Sequence, residues 1–184
     1  MDIVGYRNAE LVHQLTREGG LNTKYGDGTT LNMAQAYILE RLALVTADWP
    51  LDKTAQDKRL MPRTYQYGYL ALAREFGMTL PDNLKSIKVI DGEPRDEKKE
   101  TNAVNRISKN MNKLMDKGLV KCLREGNPQT RTKGLYLLTI GSPEENAEVE
   151  AYVRANLGLY PIVLVFGQHD DAILIKKIIR VVPA

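Results

Sequence analysis

The sequence predicts an α+β fold that is mainly helical, and three observations support this class. The chain has 184 residues, of which 43% are hydrophobic, so it can form a proper core. Several segments place apolar residues three and four positions apart, as a helix with one buried face requires. Two short segments, 119–124 and 135–140, flank a polar loop and predict a β-hairpin.

The N-terminal part, residues 1–90, is predicted to be mostly helical. Each predicted helix has an apolar stripe on one face and ends at a glycine or at Trp-Pro. These helices span 7–18, 31–48 and 63–76. A short amphipathic turn or helix is predicted at 52–60. Residues 19–30 are expected to form a loop, after which Thr29 or Thr30 caps the second helix. The pattern at 84–90 fits a strand or a helix.

Residues 91–100 contain no large apolar side chain, which predicts a charged linker or an exposed loop. The next segment, 101–158, has a clearer pattern. Val104, Ile107, Met111, Leu114 and Met115 mark one face of a helix over 103–117, which Gly118 ends. The hairpin follows, with a polar tip over 125–134.

A further helix is predicted from Ser142 to about Leu157, because Ser142 can cap it and Pro143 fits its first position. The C-terminal extension, 159–184, begins with an apolar strand at 160–166. Residues 171–182 fit a helix or a hairpin strand, and the helix is favoured slightly. Its isoleucine-rich face predicts a dimerisation element, unless it only completes the local core.

The charge is unevenly distributed along the chain. Residues 101–133 contain eight lysines and arginines and two acidic residues, a net charge of +6 in a chain whose formal total is +3. A concentrated basic segment indicates a surface that binds a polyanion. On charge alone, a lysine-rich solvated surface explains it equally well.

A helix, a glycine, a strand, a basic loop and a second strand follow each other in the order of a winged helix. The major groove of DNA admits one helix, whose outward side chains meet base edges, while lysines and arginines contact phosphates. The predicted DNA-binding residues on the helix and the hairpin are Asn102, Asn105, Arg106, Ser108, Lys109, Asn112, Lys113, Arg124, Asn127, Gln129, Thr130, Arg131 and Lys133.

Residues 101–157 resemble the back half of MarR-type (multiple antibiotic resistance) transcriptional regulators. The resemblance rests on RISKNMNKLMDKGLVKCLRE, the tip that carries Arg131, and KGLYLLTIGSPEENAEVEAYV; residues 31–48 are similar to the family's opening helix of the DNA-binding module. It implies sequence-specific binding to double-stranded DNA, transcriptional regulation, and a homodimer that binds two half-sites.

The sequence departs from that family just before the recognition helix, where the family has a short apolar-patterned helix. The partner helix is therefore expected within 81–90 or 63–76. The segment 63–76 also spaces its apolar residues as the recognition helix does. It could be the recognition helix of a first module, with Arg63, Gln66 and Arg74 as contacts.

Other classes of function have weaker support. Tyr65, Tyr67 and Tyr69 lack the surrounding groups that a nucleophilic tyrosine needs, and two histidines with one cysteine do not make a usual zinc site. We therefore expect no enzyme activity, no cofactor and no metal. The absence of long apolar runs and of a signal peptide predicts no membrane association and a cytoplasmic, nucleoid-associated protein. The alternatives are a plasmid or phage replication or partition accessory protein, and a winged-helix protein-interaction adaptor.

Overall fold

The computed structural model describes residues 5–80, 88–90, 93–127, 129 and 132–158, which form an α+β fold, as predicted. The helices are α1 (Tyr6–Arg17), α2 (Met33–Leu44), α3 (Lys53–Asp57), α4 (Tyr69–Glu75), α5 (Glu97–Asp116) and α6 (Pro143–Asn156). The strands are β1 (Asn22–Tyr25), β2 (Gly28–Leu31), β3 (Thr64–Tyr65), β4 (Lys88–Ile90), β5 (Glu93–Arg95), β6 (Val120–Arg124) and β7 (Leu135–Leu138). All pairings are antiparallel: β1 with β2, β4 with β5, and a three-stranded sheet in the order β3-β7-β6. None of the helices in these ranges has the length and apolarity needed to cross a membrane.

The helices α1 and α2 pack along each other over the main core. The residue before α1 is Gly5, which has no side chain to cap the helix. Asp48, after the end of α2, caps it instead: its carboxylate accepts the backbone N–H groups of Asn8 at 2.8 Å and Arg7 at 3.3 Å. A carboxylate at a helix N-terminus satisfies free N–H groups and favours the helix dipole. The start of α1 is therefore fixed by a residue from a distant part of the chain.

Residues 19–30, predicted as a loop, contain the hairpin β1–β2 instead. Thr29 and Thr30 pair across this hairpin, so neither caps α2 as predicted. The cap is Asn32, whose Oδ1 accepts the backbone N–H of Gln35 at 3.1 Å. Threonine is β-branched and suits a strand, which local apolar spacing alone did not indicate.

The helix predicted over 63–76 is shorter and is preceded by a strand. Thr64 and Tyr65 form β3, which pairs with β7, and α4 begins only at Tyr69. Gly68 separates the two elements with φ 86° and ψ 164°, a conformation that favours glycine. The start of this segment is a strand because it pairs with β7, some 70 residues away in the chain. The hypothesis that 63–76 is one continuous recognition helix is therefore wrong.

The helix α5 begins at Glu97, six residues before the predicted start. Asp96 caps it by accepting the backbone N–H of Lys99 at 3.0 Å. Glu100 is only 8% exposed and lies 3.0 Å from the Arg74 guanidinium of α4. The end of the segment predicted as a linker is thus helical, and β5 precedes it. Acidic residues favour the first turn of a helix even where no apolar stripe marks it.

The buried face of α5 is the predicted one. Ile107, Met111 and Leu114 are at most 1% exposed, and Ala103 joins them near the start of the helix. This face packs against α2, α4 and β6. Burying a large aliphatic side chain stabilises a fold by roughly 1.5–3 kcal/mol, so packing fixes the rotation of α5 about its axis.

Arg63 is fully buried and joins four parts of the fold. Its Nε donates to Asn8 Oδ1 of α1 at 3.0 Å, and its Nη2 lies 3.1 Å from Glu145 Oε1 of α6. Its backbone N–H donates to the Ala47 carbonyl at 2.9 Å, and its carbonyl accepts the Leu138 N–H at 2.9 Å. Burial lowers the pKa of Arg63, an effect that Glu145 opposes.

The helix α6 begins as predicted, with Ser142 accepting the backbone N–H of Glu145 at 3.2 Å and with Pro143 in the first position. Val149 and Val153 pack with Leu137 in a second, smaller core. The predicted strand at 160–166 and the predicted helix at 171–182 lie outside the described residues. Of the ambiguous segment at 84–90, the described residues Lys88–Ile90 form a strand.

We expect Arg63→Met to lower the free energy of unfolding by about 3 kcal/mol, because it leaves the Glu145 carboxylate without its buried partner. Urea unfolding followed by circular dichroism measures this. Arg59→Met is the matched control, since Arg59 has the same φ of 51° but is exposed. A loss in Arg63→Met no larger than in Arg59→Met would contradict the structural role of the buried guanidinium.

Candidate nucleic-acid interface

The face of α5 opposite the core consists of polar side chains. The side chains that the sequence predicts as DNA contacts lie together on this face, because they are three or four positions apart and fall opposite the buried residues of the helix. Asn102, Asn105, Arg106, Lys109, Asn112 and Lys113 are exposed, and Ser108 is half-buried. We call these seven residues the outer face of α5.

The exposed side chains of the outer face are not engaged in the fold. Within the described part of the chain, none of the six makes a side-chain hydrogen bond or an ion pair. Other cations are paired, for example Arg41 with Glu75 at 2.8 Å and Arg74 with Glu100 at 3.0 Å. The outer face therefore offers both amide groups and unpaired positive charge to an external partner.

Two lysines of the basic segment have structural partners instead. Lys117 donates to the Asn22 carbonyl at 2.7 Å, which ties the end of α5 to the hairpin β1–β2, and burial lowers its pKa. Lys121 donates to both Glu150 oxygens, at 2.7 and 2.8 Å. Burial raises the pKa of Glu150, but hydrogen bonds from Lys121 and Arg154 outweigh it and lower that pKa. The basic segment thus presents less free charge than its composition suggests.

The hairpin β6–β7 follows α5, as predicted. Beyond the strands, Asn127 and Thr132 pair through two backbone hydrogen bonds of 2.9 and 3.1 Å. The Asn127 side chain accepts the backbone N–H of Gln129 at 2.8 Å, so this residue shapes the turn. The predicted contacts that are exposed here are Arg124, Asn127, Gln129 and Lys133. Thr130 and Arg131, also predicted as contacts, lie outside the described residues.

Gly126 and Gly134, between the strands and the tip of the hairpin, lie where there is no room for a side chain. A Cβ at Gly126 would lie 2.9 Å from the backbone nitrogen of Gly134. A Cβ at Gly134 would lie 2.7 Å from the Tyr136 hydroxyl oxygen. Both distances are shorter than a Cβ tolerates, so a side chain at Gly126 would displace the backbone at Gly134, and one at Gly134 would displace the Tyr136 ring.

The hairpin is also attached to the turn before α4. The Tyr69 and Tyr136 rings stack with centroids 5.4 Å apart. The aliphatic stem of Lys133 runs beside Gly68, where an added Cβ would meet its Cδ at 3.6 Å. Tyr65 also stabilises this turn, since its hydroxyl donates a hydrogen bond to the Gly68 carbonyl at 2.9 Å. The turn and the base of the hairpin therefore form one continuous surface.

The structure adds Lys98 to the candidate contact residues on α5, a residue that was not predicted from the sequence. Lys98 is exposed and lies four positions before Asn102, on the same side of α5. It was missed because the predicted helix began at 103. The signal that could have revealed it is the order Asp96, Glu97 before a charged stretch, which is typical of a helix N-terminus.

The alternative contact set from 63–76 does not form one surface. Arg63 is buried and paired with Glu145, and Arg74 is paired with Glu100. Of these three candidates, only Gln66 is exposed and has no side-chain partner in the described part of the chain. In the same segment Tyr65 is buried and Tyr69 is half-buried, and burial raises the pKa of Tyr65 and of Tyr69.

Comparisons of the chain with protein-family models, with curated proteins and with solved structures gave no match.

We expect Lys109→Met and Lys113→Met to leave the free energy of unfolding within about 0.5 kcal/mol of wild type, since these side chains have no partner in the described fold. Lys117→Met should lower it by about 1 kcal/mol, because a hydrogen bond to a half-buried carbonyl is lost. Urea titrations of the three variants test this. Equal destabilisation by all three would show that the outer face of α5 serves folding instead.

Proposed function

We propose that the chain is a winged-helix protein that binds double-stranded DNA, with α5 as the recognition helix and the hairpin β6–β7 as the wing. The order α2, β3, α4, α5, β6, β7 supports this, once the short α3 between α2 and β3 and the strands β4 and β5 before α5 are set apart as additions, together with the sheet order β3-β7-β6. In a winged helix the first strand likewise lies at the sheet edge beside the last one. The helix α4 then takes the place of the partner helix, since it packs against α5.

The chain departs from the usual winged helix between α4 and α5. Residues 76–96 separate these helices, whereas a helix-turn-helix usually has a turn of three or four residues. The ion pair between Arg74 and Glu100 holds the two helices together across this insertion. The strands β4 and β5 lie within it, and Lys88 is 3.0 Å from Glu97 at the start of α5.

The observation that carries the proposal is the outer face of α5. Its asparagines suit the recognition of adenine, Arg106 suits guanine, and Lys109 and Lys113 suit phosphates. All are exposed and without partners in the described fold, while the opposite face of the same helix is fixed by the core. A rigid helix that presents unpaired donors fits the major groove of B-DNA.

The biological role that we favour is transcriptional regulation, in keeping with the resemblance of 101–157 to MarR-type regulators. That resemblance also suggests a homodimer that binds two half-sites about one helical turn apart. A replication or partition accessory role would use the same surface. A cytoplasmic, nucleoid-associated location follows from DNA binding.

A protein-interaction adaptor is the second candidate, and one surface favours it. Met33 is 69% exposed and Tyr37 is 59% exposed, and the Tyr37 ring lies 4.7 Å from that of Phe76. Large exposed apolar groups often mark a protein interface. Charge reversal at Lys133 separates the candidates, since an adaptor that binds through Met33 and Tyr37 would tolerate it.

We expect Arg106→Ala and Lys109→Ala each to weaken binding to duplex DNA by about ten-fold, and Lys109→Ala to reduce the salt dependence by about one phosphate contact. Fluorescence anisotropy with a random duplex, the matched single strand and a salt series measures this. Once a preferred sequence has been selected, Arg106→Ala should also relax specificity.

Arg17→Ala is the control for these variants, because it removes an exposed, unpaired cation of α1 from the described fold. It should bind DNA like wild type. Absence of duplex binding by the folded wild-type protein at low salt would reject the proposed function.

A further inference from the structure

A cleft of about 290 Å³ lies beside the turn before α4, the turn that contacts the hairpin β6–β7. Its apolar wall includes Val45, Ala47 and Met61. Its polar lining includes Arg59, Gln66 and Tyr67, which are all exposed. Within the described residues, these three side chains have no hydrogen-bond or ion-pair partner. The cleft therefore combines a guanidinium, an amide and a phenol hydroxyl, all of which can donate hydrogen bonds.

Arg59 occupies a position where glycine is usual. It follows α3, and the backbone bonds from Arg59 N–H to Gln56 O (2.9 Å) and from Leu60 N–H to Ala55 O (3.0 Å) form a Schellman motif. The residue at this position adopts the left-handed conformation, and Arg59 has φ 51°. Side chains are strained there, and strain of this kind often accompanies function. The turn thus fixes the backbone from which the guanidinium projects.

The cleft adjoins the turn that Lys133 of the hairpin contacts. Gln66 and Tyr67 belong to the turn that ends at Gly68, beside which the stem of Lys133 runs. The Tyr67 ring is 55% exposed and packs edge-on against buried Tyr65 at 5.6 Å. Gln66 and Tyr67 of the cleft are therefore joined through Gly68 to the place where Lys133 of the hairpin contacts the turn.

We infer that this cleft binds a phosphate group of the DNA backbone, beside the phosphates that the hairpin contacts. Arg59 supplies the charge, and Gln66 and Tyr67 supply neutral hydrogen bonds to the phosphate oxygens. Phosphate contacts fix the position of a protein on DNA and carry no sequence information directly. The cleft would therefore increase affinity for all sequences equally. This inference rests on the proposed function.

Arg59→Gly separates binding from folding. Glycine relieves the left-handed strain, so we expect the urea midpoint to rise, while duplex affinity falls about three- to ten-fold and the salt dependence drops by about one phosphate contact. Tyr67→Phe should weaken binding about two- to five-fold with an unchanged salt dependence, since it removes no charge. Tyr25→Phe is the control, because Tyr25 is 78% exposed on the hairpin β1–β2.

The outcomes distinguish this inference from the proposed function. Wild-type duplex binding is measured first, and its absence rejects the proposed function. If wild type binds, and Arg59→Gly and Tyr67→Phe bind equally well, the inference is overturned. Titration with inorganic phosphate, followed by NMR of the backbone amides of 59–68, adds a second arm. Phosphate-induced shifts at Arg59 and Tyr67 with unchanged duplex affinity would assign the cleft to a free phosphate compound and overturn the DNA contact.

Discussion

The fold depends above all on the buried guanidinium of Arg63. It contacts Asn8 of α1 and Glu145 of α6, and Nη1 reaches Asn146 Oδ1 at 3.4 Å. Gly141 makes room for this arrangement, since a Cβ there would lie 2.7 Å from Arg63 Nη1. A buried charge is tolerated only when it is paired and hydrogen-bonded, so every element around it must be present. The N-terminal helix, the edge strand and α6 are therefore locked into one arrangement.

The helix α5 is held rigidly by the core on one side, and its other side remains without partners in the described fold. The hydrophobic core uses one face of α5, and the outer face carries no partner in the described fold. Lys117 and Lys121 show the contrast, since both are tied to other elements. Within the basic segment, the exposed cations without a partner in the described fold are therefore those of the outer face of α5 and of the hairpin. Arg59 also has no side-chain partner in the described fold, and its backbone lies in a strained position.

Much of the architecture could be predicted from local patterns. The buried face of α5 and the cap of α6 at Ser142 follow from spacing and from residue type. Six of the seven predicted contact residues on α5 are exposed on one face and Ser108 is half-buried, since helix geometry sets their direction. The predictions from sequence were wrong or incomplete where contacts between distant parts of the chain decide the local structure. β3 forms because β7 is available to pair with it, and α1 begins where Asp48 can cap it.

The sequence by itself determined which residues of α5 face the core, where α6 begins, where several helices end, and the order of helix, strand, basic loop and strand. These features depend on neighbours three or four positions apart. Only the tertiary structure decided that Arg63 is buried, which lysines are paired, and that Arg59, Gln66 and Tyr67 line one cleft. The physical reason is that burial and charge pairing depend on segments far apart in the chain, which local periodicity does not encode.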